Sequence, residues 1–121
     1  YTLPGGGQEP GETLEQAVIR EVLEEVAATV QVLGLVNIYE HQRPSRSKPD
    51  TFKHKIEFTF ICKLLTPYQP AMGHHPDPHQ VAVEWIDTDL LKSVSLYPQI
   101  LEEILPSCQL TEKPVYMGKV I

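Results

Sequence analysis

The sequence predicts an α/β or α+β layer structure, from three observations. Apolar residues recur at helical spacing over 13–27, β-branched and alternating runs occupy 29–40 and 54–65, and a second helical run follows at 97–105. Residues 1–3 read as the end of a strand. The stretch PGGGQEPGE (4–12) is a loop, because glycine and proline dominate it. Residues 13–27 read as a helix with Thr13 as its N-cap. TVQVLGLVNIYE (29–40) reads as a strand, with Gly34 as the place for a bulge. HQRPSRSKPD (41–50) is a polar loop. HKIEFTFICKLL (54–65) alternates as a strand, with Ile56, Phe58, Phe60 and Cys62 on one face and Glu57, Thr59, Ile61 and Lys63 on the other.

Residues 66–80 hold four prolines and three of the five histidines, so a loop is expected. VAVEWI (81–86) reads as a short strand, and Asp87 or Asp89 can cap a brief turn through Leu91. The second helix, YPQILEEIL (97–105), carries Pro98 near its first turn, where proline is tolerated, and Pro106 ends it. KPVYMGKVI (113–121) is a final strand or a tail. The strands read as not forming hairpins.

Composition bounds the rest. The chain has 121 residues, of which 41% are hydrophobic and 21% charged, which suits one compact domain over 1–121. The net charge of −6 argues against nucleic-acid binding through a basic surface. No apolar run spans a membrane and no signal peptide is visible, so no membrane partner is expected. Cys62 and Cys108 form no CxxC pair, and a reduced, cytoplasmic protein is the simplest reading, with a disulfide between them left open.

The helix at 13–27 poses a charge problem. Within GETLEQAVIREVLEEV (11–26) stand Glu12, Glu15, Glu21, Glu24 and Glu25, with only Arg20 to offset them. Like charges at i,i+4 destabilise a helix. On the helical wheel Glu21, Glu24 and Glu25 fall on one side, beside an apolar arc of Val18, Ile19, Val22, Leu23 and Val26. Hard oxygen donors grouped this way suit Mg²⁺ or Mn²⁺, which would supply the missing positive charge.

Gly6, Glu12, Arg20-Glu21, Val22 and Glu24-Glu25 match the pattern G-x5-E-x7-R-E-U-x-E-E-x-G-U, where U is aliphatic. The stretch therefore resembles the Nudix box, and the preceding LPGGG is also typical of that family. By composition alone the fixed positions match on the order of 10⁻⁷ times per start. Two positions depart: Ala27 stands for the glycine that ends the helix, and Ala28 for a larger aliphatic residue. Alanine at 27 should strain or reshape the turn and leave the metal site in place.

The resemblance implies an α/β/α sandwich with a mixed sheet. It also implies hydrolysis of a nucleoside diphosphate linked to another moiety, a small-molecule nucleotide substrate. Family members place two or three strands before the box, whereas Tyr1 stands directly at it, so the expectation is of an N-terminally incomplete domain. By resemblance Glu21, Glu24 and Glu25 ligate the metal, with a backbone carbonyl near Gly6. One of these glutamates, or one from another loop, acts as general base, Arg20 orients a box glutamate, and Glu12 pairs with Arg20 or holds the loop. Mg²⁺ is the expected cofactor, with Mn²⁺ as its substitute.

Further candidates lie outside the box. Glu40, Glu57 and Glu84 sit in or beside strands, where surface exposure is the commoner reason for a carboxylate; the resemblance implies one extra glutamate recruited from such a place, with Glu57 and Glu84 ranking level. A proline 16 residues past the box marks ADP-ribose pyrophosphatases, and Pro44 stands at 44 − 28 = 16 from Ala28. Arg43, Arg46 and Lys48 can meet phosphates or remain solvated loop charges. Tyr116 can stack on a nucleobase or dock the tail. Trp85 reads as core, and His74, His75 and His79 as a mobile loop in preference to a zinc site. ADP-ribose is the favoured substrate, with nucleoside triphosphates or dinucleoside polyphosphates as alternatives. A non-catalytic nucleotide-sugar sensor and a protein-binding or metal-buffering module stay open as other classes, and a homodimer is compatible with all of them.

Overall fold

A computed structural model describes residues 1–108 and 113–120. Its elements are helix α1 (Leu14–Val26), strands β1 (Val30–Pro44) and β2 (Phe52–Leu64), a 3₁₀ turn (Thr88–Ser93), helix α2 (Leu101–Ile104) with a 3₁₀ turn behind it (Leu105–Ser107), and strand β3 (Val115–Lys119). The sheet order is β2-β1-β3. The chain divides into two compact units, Thr2–Leu33 with Cys62–Asp87, and Tyr1 with Gly34–Ile61 and Thr88–Ile121.

The first unit is organised by α1. Thr13 caps it as the sequence suggests: its hydroxyl accepts from the Gln16 N–H at 3.1 Å, and the Gln16 side chain accepts from the Thr13 N–H at 2.8 Å. Such a cap is worth about 1 kcal/mol. Ala17 is buried, while Ile19 and Leu23 are exposed, so the buried strip is narrower than the apolar arc. At the other end Ala27 adopts the left-handed conformation, φ 57° and ψ 29°, and its N–H reaches the Leu23 carbonyl at 3.1 Å. The family's glycine position thus keeps a glycine's backbone with an alanine in it. The segment 81–86 forms no strand. Val81 and Trp85 are exposed, so nothing there offers a buried face for a strand to cover. Trp85, 65% exposed, is not core; its ring sits edge-on to Tyr68 with centroids 5.9 Å apart.

The second unit holds the hairpin. β1 continues through His41–Pro44, which the polarity of that stretch disguised as loop, and turns at 45–51, closed by the Ser45 N–H to the Thr51 carbonyl at 2.8 Å. β1 and β2 are therefore hairpin partners, contrary to the sequence expectation. β3 pairs parallel to β1, with Asn37 opposite Val115, Ile38 opposite Tyr116 and Glu40 opposite Lys119. Two β1 steps there match three on β3, and the added residue is accommodated where Gly118 takes φ 69°. This ladder's irregularity is at Ile38–Glu40.

Residues 1–3 form no strand: Tyr1 alone exchanges bonds with Ser95 and Tyr97, and one residue is not a ladder. The helix expected over 97–105 shrinks to Leu101–Ile104, with Tyr97–Ile100 in bends and turns before it and Pro106 inside the following 3₁₀ turn. Val36, Tyr39, Leu91, Leu96 and Leu101 form this unit's buried core. Both cysteines are free thiols. Among the described residues no helix is long and apolar enough to cross a membrane.

Candidate active site

Arg20 is the hub of the first unit. Its Nε donates to Glu12 Oε2 at 3.0 Å and its Nη2 to Glu12 Oε1 at 2.7 Å, a forked pair that locks the loop onto the helix. Nη2 also donates to the Gly7 carbonyl at 2.9 Å, while Nη1 reaches Glu21 Oε1 at 3.0 Å and Glu24 Oε2 at 3.2 Å. Glu9, which the sequence reading passed over, adds a longer ion pair at 3.7 Å. The Arg20 guanidinium, helped by the Glu9 backbone N–H, holds the Glu12 carboxyl below its ordinary range. The role expected for Arg20, orienting box glutamates, has this geometry behind it.

Glu21 and Glu25 face one another. Burial first, then the hydrogen bond and charge of Glu21, push the Glu25 carboxyl up to about 7, against a backbone N–H of Gly5 that pulls it down; Asp77 adds a smaller repulsion. Glu21 also lies against Gly6, and any Cβ there would overlap its carboxylate. The glycine is needed because a carboxylate occupies the space a side chain would fill.

The loop at 66–80 has a structural role the sequence did not reveal. Its donors close the C-terminus of α1: the Gly73 N–H and Gln80 Nε2 bond the Glu25 carbonyl at 2.9 and 2.8 Å, the His75 N–H bonds the Glu24 carbonyl at 2.9 Å, and Tyr68 Oη bonds the Val26 carbonyl at 2.6 Å. A Cβ on Gly73 would run into the Glu24 backbone. The lone glycine in a proline-rich loop was the available signal. The imidazoles of His74 and His75 take no part in this clasp; the His75 contribution is its backbone.

The fit to a divalent ion can be judged from these donors. Glu21, Glu24 and Glu25 are hard oxygen ligands, but the Glu24 Oε2 is turned to Arg20. Among the described residues no three His, Cys, Asp or Glu side chains converge as a ready cage. Mg²⁺ keeps several waters and needs only one or two carboxylates. The facing pair Glu21–Glu25 beside the Gly5–Gly6 backbone meets that requirement, and a cation there would relieve the repulsion that raises the Glu25 proton affinity.

The remaining candidates have other partners. Glu57 bonds His41 Nε2 at 3.0 Å. The Arg43 guanidinium lies 4.8 Å from the Tyr97 ring centroid, and its Nε is buried without a hydrogen-bond partner, so it is not the solvated loop cation that the sequence suggested. Pro44 ends β1. Tyr116 Oη donates to Glu40, whose other oxygen meets His54 Nε2 at 2.8 Å. These four belong to the second unit, whereas Glu84 belongs to the first, exposed on an irregular segment.

The family model for the NUDIX domain matches residues 1–108. An ADP-ribose pyrophosphatase of Methanocaldococcus jannaschii is 38% identical over 65 residues, 54% of this chain and 36% of its own length. The NAD-capped RNA hydrolase NudC of Photorhabdus laumondii is 28% identical over 115 residues, 92% of this chain and 40% of its own length. The 8-oxo-dGTP diphosphatase of Escherichia coli is 51% identical over 43 residues, 36% of this chain and 33% of its own length. The chain thus spans well under half the length of each. Nudix hydrolases generally use divalent metal ions. With a family match over most of its length and a box whose side chains are tied together by Arg20, the chain belongs to the Nudix family.

Proposed function

We propose that the chain, as one domain, is a Mg²⁺-dependent pyrophosphohydrolase that cleaves the diphosphate bond of a nucleoside diphosphate linked to another moiety. The observation that carries this reading is the facing pair of carboxylates, Glu21 and Glu25, set beside Gly6 with no described cationic side chain between them. Glu21, Glu24 and Glu25, with the Gly6 carbonyl, would hold the ion. When bound, Mg²⁺ neutralises phosphate oxygens and lowers the pKa of its water. Arg20 fixes the orientation of Glu21 and Glu24 by charge-assisted bonds. A glutamate, from the box or from another loop, accepts a proton from the attacking water at its carboxylate oxygen.

An ADP-ribose-like substrate is supported by the M. jannaschii relative and by the position of Pro44. The E. coli relative supports a nucleoside triphosphate as the second reading. Turnover with Mg²⁺ across ADP-ribose, nucleoside triphosphates including 8-oxo-dGTP, and dinucleoside polyphosphates separates them. The highest kcat/KM is expected for ADP-ribose, and Glu24→Gln and Glu25→Gln are each expected to lower turnover by orders of magnitude without unfolding. Binding of a nucleotide sugar with no turnover of any substrate would leave the sensor reading in place of the enzyme. Near wild-type turnover in both variants would remove the box from the chemistry.

A further inference from the structure

Glu24 and Glu25 stand in the last turn of α1, the part of a helix that holds itself least well. Carbonyls at a helix end lack partners from the helix, and such ends fray. Here the Ala27 N–H reaches the Leu23 carbonyl, and the next three carbonyls, those of Glu24, Glu25 and Val26, are all met by donors of the 66–80 loop. The turn that presents two box carboxylates is therefore held from outside the helix, within the first unit.

Among those donors Gln80 is set apart by what both ends of its amide do. Its Nε2 donates to the Glu25 carbonyl at 2.8 Å and lies 3.2 Å from Met72 Sδ. Its Oε1 accepts from the Asp77 N–H at 3.2 Å, while the Gln80 N–H returns to the Asp77 carbonyl at 2.9 Å. The amide is thus locked in its own turn before it reaches the helix, so bonding Glu25 costs it little further freedom. The Gly73 N–H bonds the same Glu25 carbonyl at 2.9 Å. Two donors on one carbonyl fix the tilt of its peptide, and with it the direction in which the Glu25 side chain leaves the helix. Small displacements matter at such a site, because a misplacement of about 1 Å can cost a catalyst roughly a hundredfold.

We propose that Gln80 is a positioning residue for the pyrophosphohydrolase reaction: through the Glu25 carbonyl it fixes the backbone from which the Glu25 carboxylate reaches the divalent ion. The proposal rests on the reading that Glu21, Glu24 and Glu25 hold that ion. Gln80 itself bonds the ligand's backbone, so its effect falls on metal binding and turnover and not on affinity for the nucleotide.

Gln80→Met tests it, because methionine keeps the length of the side chain and removes both its donor and its acceptor. Mn²⁺ binding to the whole chain without substrate, read from the paramagnetic resonance of the free ion, should weaken by about tenfold. At saturating metal, kcat for the best nucleotide substrate should fall by about tenfold while its KM stays within about twofold. Tyr68→Phe is the control for mere support, since it removes a bond from the same clasp at Val26, which bears no carboxylate. Both variants should melt below wild type in EDTA, but Tyr68→Phe should bind Mn²⁺ as wild type does. Equal losses of Mn²⁺ affinity in the two variants, wild-type affinity and kcat in Gln80→Met, or a loss confined to KM would each overturn the proposal. Glu25→Gln separates it from the reading beneath it. Mn²⁺ binding lost in Glu25→Gln but intact in Gln80→Met would sink the role of Gln80 alone, and wild-type binding in both would sink the metal site with it. Should Gln80→Met not fold, wild-type protein with isotope-labelled glutamine gives the answer: the Gln80 side-chain amide resonances should shift as Mg²⁺ is added, and fixed resonances would overturn the proposal.

Discussion

Ala27→Gly should stabilise this protein, although Ala→Gly changes usually destabilise. Ala27 sits at φ 57° and ψ 29°, inside the left-handed region. An L-residue with a Cβ pays roughly 1–2 kcal/mol there, because the Cβ crowds the following carbonyl. Glycine removes that strain but gives back roughly 0.4–1 kcal/mol through the larger freedom of its unfolded chain. The net gain is about 0.5–1 kcal/mol. The cap bond from residue 27 to the Leu23 carbonyl involves only backbone, so it survives the change.

For a domain between the small and medium size classes, the gain corresponds to a rise in Tm of about 2–4 °C. Circular dichroism melts in EDTA measure it directly. Ala28→Gly is the matched control. Ala28 is buried, and its φ is not among the positive values. There the same chemical change should lower stability by about 1 kcal/mol. A Tm for Ala27→Gly equal to or below wild type would refute the strain argument, and equal shifts in both variants would show that the backbone conformation at 27 is not what decides the outcome.

Gly6→Ala should lower kcat by about tenfold or more, because the new methyl must displace the Glu21 carboxylate; a wild-type kcat would refute that contact. Arg20→Lys should lower kcat although charge is conserved, because one ammonium cannot hold the Glu12 fork and also reach Glu21 and Glu24; urea melts should show lost stability as well. Glu25 titrates near 7 in the folded chain against an ordinary 4.5, so between those values the folded state binds more protons than the unfolded. Metal-free stability should therefore fall as pH rises from 4.5 to about 7, and subtracting the Glu25→Gln melts from wild type isolates that slope. The triple variant His74→Ala, His75→Ala, His79→Ala should keep most Mg²⁺-dependent turnover, because the clasp on α1 uses backbone N–H groups, Tyr68 and Gln80; a loss matching Glu25→Gln with folding intact would put an imidazole in the chemistry.

The parts of the fold that were legible in the sequence were those with local causes. Thr13, the apolar spacing behind it and the box glutamates predicted α1 and its N-cap, and the Ala27 departure predicted strain at its end. Elements decided by distant contacts were not legible. His41–Pro44 is polar enough to read as loop, yet hairpin pairing makes it strand. VAVEWI has strand propensity but no buried face, and Trp85 stays in solvent. The same holds within the site. Arg20, Glu12, Glu21 and Glu24 meet because the helix and the short loop before it bring them together. The Tyr68, Gly73 and Gln80 clasp joins residues 42–55 positions apart where a side chain is involved, and no periodicity encodes such a meeting.

The placement of the box glutamates also runs against helix electrostatics. Carboxylates favour the N-terminal turn, where the macrodipole is positive, and cations favour the last turn. In α1 the first turn holds Glu15, the last turn holds no basic residue, and Glu21, Glu24 and Glu25 crowd the C-terminal half. The negative end of the dipole therefore adds to their mutual repulsion. Two features offset it from within the chain: Arg20 neutralises part of the cluster from one side, and the 66–80 loop saturates the carbonyls of Glu24, Glu25 and Val26 from the other. Neither places a cation between Glu21 and Glu25, and burial, followed by the hydrogen bond and charge of Glu21, lets Glu25 retain a proton near neutrality. A helix selected for stability alone would carry lysine or arginine at its C-terminal end. This one keeps the facing carboxylates Glu21 and Glu25 there, with Arg20 reaching only Glu21 of the two, at a cost to stability, and a divalent ion bound between them would convert that cost into affinity for the metal.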